Sequence, residues 1–180
     1  MTYKIEKDWV TEAGFRAAVI MGDLGFRCGY VGLPQGHKLH GVSYSQETEY
    51  LVKIPNTESV GKRGIMTLFL AGVGDGIPQS PEMVFDVHGS LTYSAEYTDY
   101  PVKSDGLWWF GFDCGHAGDG RSAEYLQEQK EKYPTMPFMW GEEDVCRSLE
   151  YCIEECESLA RQIVQKTITN NTVEEIKSHD

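Results

Sequence analysis

The stretch "FRAAVIMGDLGFRCGYVGLP", residues 15–34, decides how the chain begins to fold. Two apolar runs, Ala17–Met21 and Phe26–Val31, flank the tetrapeptide "GDLG". The glycines and the aspartate of that tetrapeptide tolerate the positive φ angles that a tight turn requires. A helix through the same residues would carry too many glycines. The stretch therefore predicts a β-hairpin in which each apolar run forms a strand.

Two further segments are predicted to contain strands. They are "MVFDVHGSLTYS", residues 83–94, and "LWWFGFDC", residues 107–114, both rich in β-branched and aromatic side chains. The apolar run "GIMTLFLAGV", residues 64–73, is a buried strand or a short helix, because periodicity alone does not distinguish the two. The structure of residues 45–81 is otherwise left open.

The C-terminal third is predicted to be helical, with one helix over residues 122–133 and a longer one from about Glu143 to Lys166. In the longer helix, apolar residues recur at steps of three and four and form one stripe. The stripe comprises Val145, Leu149, Cys152, Ile153, Cys156, Leu159, Ala160, Ile163 and Val164. The opposite, solvated face carries Glu150, Glu154, Glu157 and Arg161. We therefore expect an α+β fold: a mixed or antiparallel sheet with the long C-terminal helix packed on one face.

The length and the charge limit what the chain can be. The 180 residues suit one globular domain, expected over residues 1–166, followed by a polar, flexible tail over residues 167–180. The formal net charge is −12, from 28 acidic and 16 basic residues, which argues against binding to a nucleic-acid polymer. A few local donors could still hold a small anionic ligand.

The expected compartment follows from what the sequence lacks. No apolar stretch approaches the roughly 20 residues of a membrane span, and the N-terminal residues lack the apolar core of a signal peptide. The five cysteines are an odd number, and three of them fall within the predicted long helix. A disulfide framework is therefore not expected, and we expect a cytoplasmic protein with no membrane partner.

Histidines cluster beside glycines. His37 and His40 share one glycine-flanked loop, His88 precedes a glycine at a predicted strand end, and His116 lies in "FGFDCGHAGDG", residues 110–120. The fifth histidine, in the tail, is expected to be idle. Histidine in such loops is common where metal binding, proton transfer or phosphate contact is needed near neutral pH.

Strand alternation places some of these groups together. In residues 107–114, alternation puts Trp109 and Asp113 on one face and Trp108 and Phe110 on the other. If the strands ending at His88 and Asp113 are neighbours, both of these side chains lie on one face of the sheet. Asp86, two residues before His88, could then orient a histidine. The glycines in residues 115–120 would bring backbone N–H groups close to a ligand. The pattern predicts a functional site at the ends of two strands.

A metal centre is weakly indicated. The D-x2-H spacing of Asp113 and His116 matches no strong zinc pattern, and a C-x2-C pair is absent. No metal is therefore expected as a resident cofactor, although a divalent ion remains possible, with His88, Asp113 and His116 as its ligands. Phosphate-loop, Rossmann and G-x-S-x-G patterns are also absent from the sequence.

Three blocks of the sequence carry a resemblance: "FRCGYVGLPQGHKLHG", "DVHGSLTYS" and "WWFGFDCGHAGDG". Together with the closing helix "YCIEECESLARQI", they resemble a largely uncharacterised family of small proteins from phages, prophages and some bacteria. A phage setting implies an anti-defence protein in the host cytoplasm. Its expected activity is to bind and sequester a small nucleotide-derived immune signal of the cyclic nucleotide or cyclic ADP-ribose type.

That hypothesis assigns a role to each candidate residue. Four aromatic side chains would stack a base: Tyr30, Tyr93, Trp108 and Trp109. Backbone N–H groups of residues 115–120, with Arg27 or Arg121, would hold phosphate. The histidines would bond ribose or phosphate oxygens: His37, His40, His88 and His116.

Two alternatives remain open. The first is a phosphodiesterase-like hydrolase in which His88 and His116 are metal ligands or an acid–base pair and Asp113 and Asp119 complete the site. A homo-oligomeric state is left open for every hypothesis. The second alternative is a structural or protein-interaction module whose histidines only brace loops. In that case Trp108 and its neighbour pack in the core and the two aspartates are turn residues.

Overall fold

The computed structural model describes residues 3–52, 79–135 and 144–168. The strands are β1 (Tyr3–Val10), β2 (Arg16–Gly22), β3 (Arg27–Pro34), β4 (Tyr93–Ala95) and β5 (Leu107–Asp113). The helices are α1 (Pro81–Val84), α2 (Ala123–Lys132) and α3 (Leu149–Lys166). The segment 64–73 and the terminal residues 169–180, for which predictions were made above, lie outside the described residues.

The five strands form one antiparallel sheet in the order β1-β2-β3-β5-β4. The predicted hairpin is confirmed as β2 and β3, with Gly25 at φ +75° in the turn between them. The strand predicted in residues 107–114 is confirmed as β5, which pairs with β3. Helices accompany the sheet, so the α+β class is confirmed and the sheet is antiparallel.

Strand β1 was not predicted from the sequence. A β-bulge between Ile5 and Lys7 shifts its register against β2. The half-buried residues are therefore Tyr3, Glu6 and Trp9, spaced by three, with Tyr3 and Trp9 packed on opposite faces of the sheet. This spacing hides the alternation expected of a strand. Only its pairing with β2 reveals the element.

Alternation in β3 and β5 divides the core between the two faces of the sheet. On one face, Val31 and Phe110 are paired across β3 and β5 and lie in a buried cluster that also contains Cys156 and Leu159 of α3. On the other face, Tyr30 and Trp109 belong to a second buried cluster. The two-face assignment made for residues 107–114 is thus confirmed.

Helix α3 begins later than predicted. It starts at Leu149 rather than near Glu143, and Ser148 caps it by accepting a hydrogen bond from Tyr151 N at 3.1 Å. The preceding residues are held extended, because Val145 pairs with Asp119 in a parallel bridge and the Arg147 carbonyl accepts a 2.6 Å bond from Arg27 Nη1. Val145 was therefore wrongly placed in the helical stripe and is 58% exposed.

The stripe within α3 is otherwise largely as predicted. Cys152, Cys156, Leu159, Ala160 and Ile163 are buried, whereas Val164 is exposed. On the opposite face, Glu157 does not simply face water. Its carboxylate accepts hydrogen bonds from Trp9 Nε1 at 2.8 Å and from the backbone N–H of Glu12 at 3.0 Å. No helix within the described residues is both long and apolar enough to cross a membrane.

The strand expected to end at His88 is not formed, and this prediction was wrong. Residues 81–84 form the short helix α1, whose first position suits Pro81 because no N–H is needed there. The backbone N–H groups of Asp86 and His88 donate to Gln162 and Glu155 of α3 instead of to a strand. Strand β4 begins only at Tyr93.

Candidate functional site

The candidate site lies where the loop after β5 meets the loop before β4, beside the first turns of α3. Asp119 occupies its centre, and its side chain is 1% exposed. Oδ2 of Asp119 accepts hydrogen bonds from His88 Nε2 at 2.8 Å and from the backbone N–H of His116 at 3.0 Å. Oδ1 accepts from Arg147 Nε at 2.8 Å. One buried carboxylate therefore joins three segments of the chain.

The charge on Asp119 is stabilised by these donors. Burial by itself raises the pKa of this carboxyl, but the hydrogen bonds from His88, Arg147 and the backbone of His116 outweigh it. The pKa of Asp119 therefore lies below its ordinary value, and the group is a carboxylate at neutral pH.

His88 is fixed on three sides. Its Nε2 faces Asp119, its Nδ1 lies 3.0 Å from the Tyr151 hydroxyl, and its backbone N–H donates to Glu155 Oε2 at 2.7 Å. When the ring is neutral and Nε2–H donates to Asp119, Nδ1 accepts from the Tyr151 hydroxyl. In the opposite tautomer Nδ1–H donates to the Tyr151 hydroxyl, and Nε2 then needs a cation or another donor, because the ionised Asp119 carboxylate only accepts.

His116 stands beside His88, with ring centroids 5.6 Å apart. Its Nδ1 is buried and, within the described part of the chain, has no hydrogen-bond partner. Oδ2 of Asp119 and Oδ1 of Asp113 lie 3.8 and 3.9 Å from that nitrogen, too far for a hydrogen bond. The arrangement leaves a polar atom in the site that a ligand could engage.

A glycine makes room for the His116 ring. Gly89 has φ +67°, and a Cβ at this position would lie 2.1 Å from the His116 ring. The next residue, Ser90, has φ +103°, a backbone conformation that favours glycine. The turn after His88 is therefore shaped to bring the two histidines together.

Three groups of the site converge enough to hold a metal ion. One ligand atom each from His88, His116 and Asp119 lie within 4.8 Å of one another. Sequence reasoning had proposed Asp113 as the carboxylate of this set. The Asp113 carboxylate instead accepts hydrogen bonds from Thr92 Oγ1 at 2.9 Å and from the Gly115 N–H at 3.0 Å. Asp86, expected to orient a histidine, is exposed and binds Gln162 through its backbone, so Asp119 takes that role.

Cys114 is adjacent to the site but is not placed as a nucleophile. Its Sγ lies 3.7 Å from Sγ of Cys152, both residues are buried and both thiols are free. The contact with Cys152 and burial both raise the pKa of Cys114. A protonated, inaccessible thiol reacts poorly.

The four loop histidines do not form one site. His40 Nε2 lies 3.2 Å from the Gly106 carbonyl, before the start of β5, whereas His116 follows its end. At about 3.4 Å per residue, the seven residues of β5 separate these ends by roughly 20 Å. His37 stays with His40: its ring packs against Phe15, and burial lowers its pKa.

The predicted stacking residues are mostly packed inside the protein. Trp109 is 0% exposed and Tyr30 is 3% exposed, and Tyr30 contacts the rings of Tyr93 and Tyr100. Trp108 is half-buried and donates from Nε1 to the Val42 carbonyl at 2.9 Å. Tyr30 and Trp109 therefore cannot stack a base, because no face of either ring reaches the surface.

The two predicted phosphate-binding arginines differ in position. Arg27 donates to Glu6 from Nε at 2.6 Å and is committed to that ion pair and to the Arg147 carbonyl. Arg121 lies next to the glycine loop with its guanidinium 4.7 Å from the Phe26 ring centroid.

Sequence reasoning missed three residues of the site: Arg147, Tyr151 and Glu155. They are spaced by four, with Tyr151 and Glu155 on one side of α3 and Arg147 just before it. That spacing of a cation, a hydroxyl and a carboxylate was the available signal. It was hidden because Arg147 fell inside the longer predicted helix and Glu155 was assigned to neither face of that helix.

Comparison of the chain with known protein families, curated proteins and solved structures finds no match. The resemblance to phage and prophage proteins, a nucleotide ligand and a homo-oligomeric state accordingly stay predictions.

Proposed function

We propose that this chain is a divalent-metal-dependent hydrolase whose ion is held by His88, His116 and Asp119. The supporting observation is the convergence of one ligand atom from each residue within 4.8 Å. Imidazole and carboxylate together suit ions such as Zn²⁺, Mn²⁺, Fe²⁺ and Ni²⁺. Three protein ligands leave positions open for water and substrate, as catalytic sites require.

The neighbouring groups can prepare His88 for this task. For Nε2 to coordinate an ion, its proton must be absent while Nδ1 carries one. The Tyr151 hydroxyl, 3.0 Å from Nδ1, can accept that proton's hydrogen bond and hold the ring in the metal-binding tautomer. An ion bound at Nε2 would therefore replace the hydrogen bond between His88 and Asp119. The Tyr151 hydroxyl would then accept a hydrogen bond from His88 Nδ1 instead of donating one.

The expected substrate is a phosphate ester of a small nucleotide. A bound divalent ion lowers the pKa of its water and polarises a phosphoryl oxygen. Arg147, whose side chain is 34% exposed while its Nε holds Asp119, is placed to attract the substrate's negative charge to the site. The phage resemblance supports the nucleotide class.

Cation binding and turnover test this proposal together. Chelator-treated protein is titrated with Mn²⁺, Zn²⁺ and Ni²⁺ in a calorimeter, then assayed on bis(p-nitrophenyl) phosphate and a panel of cyclic and ADP-ribose-type nucleotides. We expect saturable cation binding and metal-dependent turnover, and His116→Ala should reduce turnover by about 100-fold. His40→Ala, at the other end of β5, is the matched control and should retain both. Turnover that survives the chelator, or no cation binding, would contradict the proposal.

A second candidate is sequestration of a nucleotide-derived signal without chemistry, as an anti-defence protein would perform it. It is favoured by the complete hydrogen bonding of Asp119, which needs no metal ion. His116 Nδ1 and Arg147 would then bond phosphate oxygens. Ligand released intact from heat-denatured protein supports this candidate, and a changed product supports the hydrolase.

A further inference from the structure

An apolar cleft of about 150 Å³ opens on the sheet face that α3 does not cover. Three aromatic rings line it, those of Tyr3, Phe26 and Tyr100, together with Ile20, Leu24 and Cys28. The tyrosine hydroxyls are committed elsewhere, since Tyr3 donates to the Asp99 carbonyl and Tyr100 pairs with Tyr30. The cleft therefore presents ring faces and aliphatic groups. Apolar cavities of this volume accommodate a single aromatic ring.

One charged side chain also lines the cleft. Asp23, exposed in the hairpin turn, lines it beside Leu24. Burial raises the pKa of the Cys28 thiol to about 12, so the sulfur is an uncharged part of the wall. A ring with N–H or amino donors would satisfy both the aromatic walls and the carboxylate. A lipid chain or an aliphatic side chain would make no use of the Asp23 carboxylate.

The cleft adjoins the candidate site through two contacts. Cys28 is the cross-strand partner of Asp113, and Oδ1 of Asp113 lies 3.9 Å from His116 Nδ1. Phe26 also borders the glycine loop, because a Cβ on Gly115 would lie 3.0 Å from its ring. The Arg121 guanidinium sits over the Phe26 ring, 4.7 Å from its centroid. A cation thus lies over one ring of the cleft, and it follows His116 by five residues in the sequence.

We infer that this cleft is the base subsite: it takes the planar, nitrogen-bearing ring of a nucleotide whose phosphate lies at His116. The inference rests on the proposed function for the phosphate end only. Ring recognition by the cleft is a separate property and can be measured without phosphate or metal. The aromatic rings of the cleft would then stack the base in place of Tyr30 and Trp109, which are buried.

The experiment compares matched ligands in a calorimeter. The probes are the four common nucleoside monophosphates, their nucleosides, and ribose 5-phosphate, which lacks a base. At least one nucleoside monophosphate should bind about 10-fold or more tighter than ribose 5-phosphate, and its nucleoside should bind measurably alone.

Two variants locate the binding. Gly22→Val should abolish the preference for the base, because Gly22 lines the cleft and valine adds bulk there. The substitution should be tolerated in the fold, because a Cβ at this position contacts only the Phe26 carbonyl oxygen, at 3.6 Å. Leu24→Ser, at a residue already 54% exposed, should weaken base-dependent binding by roughly 5-fold and keeps the test valid if the first variant misfolds. Val10→Ser, also at an exposed apolar residue but at the far end of β1, is the control.

The outcomes separate the two proposals. Equal affinity for nucleotides and ribose 5-phosphate, or base-dependent binding unchanged in both cleft variants, overturns the base subsite. So does tighter binding of phenol or a fatty acid than of any nucleoside. Nucleoside binding that is lost in Gly22→Val, without any cation binding at the histidines, supports the cleft and refutes the metal-dependent hydrolase.

Discussion

Asp119→Asn tests whether one buried carboxylate holds the candidate site together. The carboxylate accepts three hydrogen bonds, from His88, Arg147 and the His116 backbone, at 2.8, 2.8 and 3.0 Å. A hydrogen bond to a charged group contributes about 1.5–3 kcal/mol, but Arg147 is partly exposed, so its share is at most about 1 kcal/mol. Asparagine keeps one oxygen and sets its NH₂ against a donor. We expect the free energy of unfolding to fall by about 2–4 kcal/mol.

The measurement is urea unfolding followed by tryptophan fluorescence, with chelator present so that no cation contributes. Asp113→Asn is the matched control, because that carboxylate is 30% exposed and should cost only about 0.5–1.5 kcal/mol. An Asp119→Asn effect below about 0.5 kcal/mol, or no larger than that of the control, would refute the reasoning.

The same pair of proteins has an expected pH dependence. Because the pKa of Asp119 is depressed in the folded protein, its contribution to stability is fully present above its unfolded pKa of about 3.9. The contribution is lost as the pH falls through the folded pKa. The stability difference between the wild type and Asp119→Asn should therefore be constant near neutral pH and shrink at acidic pH. A difference that grows on acidification would contradict this sign.

Further substitutions test the turn and the helix. Gly89→Ala should destabilise the protein by more than about 1 kcal/mol and weaken cation binding, because its Cβ would lie 2.1 Å from the His116 ring. A cation affinity that calorimetry finds unchanged would argue against this packing. Ser90→Gly should stabilise by up to about 1 kcal/mol in urea unfolding, since it relieves a φ of +103°, and a loss of stability would show that the serine is not strained. Leu159→Ala, at a residue 0% exposed, should cost about 2–5 kcal/mol in the same assay, against less than about 0.5 kcal/mol for Val164→Ala at 55% exposure. Equal effects of the last two would mean that α3 is not oriented as described.

Local patterns predicted the elements whose own residues suffice to specify them. The hairpin of β2 and β3 follows from two apolar runs around a glycine turn, and β5 from an aromatic alternation that also sorted Trp109 and Phe110 onto opposite faces. Helix α2 was confirmed between a capping Ser122 and Pro134. In each case the side-chain period or a turn residue acts over a few positions, so the sequence carries the information directly.

Partners distant in sequence decided the rest. The segment around Val145 carries a helical pattern but is extended. Asp119 pairs with the backbone of Val145 and binds the side chain of Arg147, and Arg27 donates to the Arg147 carbonyl. The residues before His88 alternate like a strand, yet α3 side chains take their N–H groups. Hydrogen bonds with tertiary partners outweighed local propensity in both places.

For the site, the sequence alone identified the histidines, the glycine loop and both aspartates as chemically notable. It could not sort His37 and His40 away from His88 and His116, because that separation is set by which end of β5 each loop meets. Nor could it choose Asp119 over Asp113 as the central carboxylate. That choice depends on burial and on donors from the side chains of His88 and Arg147. Each lies about 30 residues from Asp119 in the sequence, and they meet it only after the sheet and helix have packed.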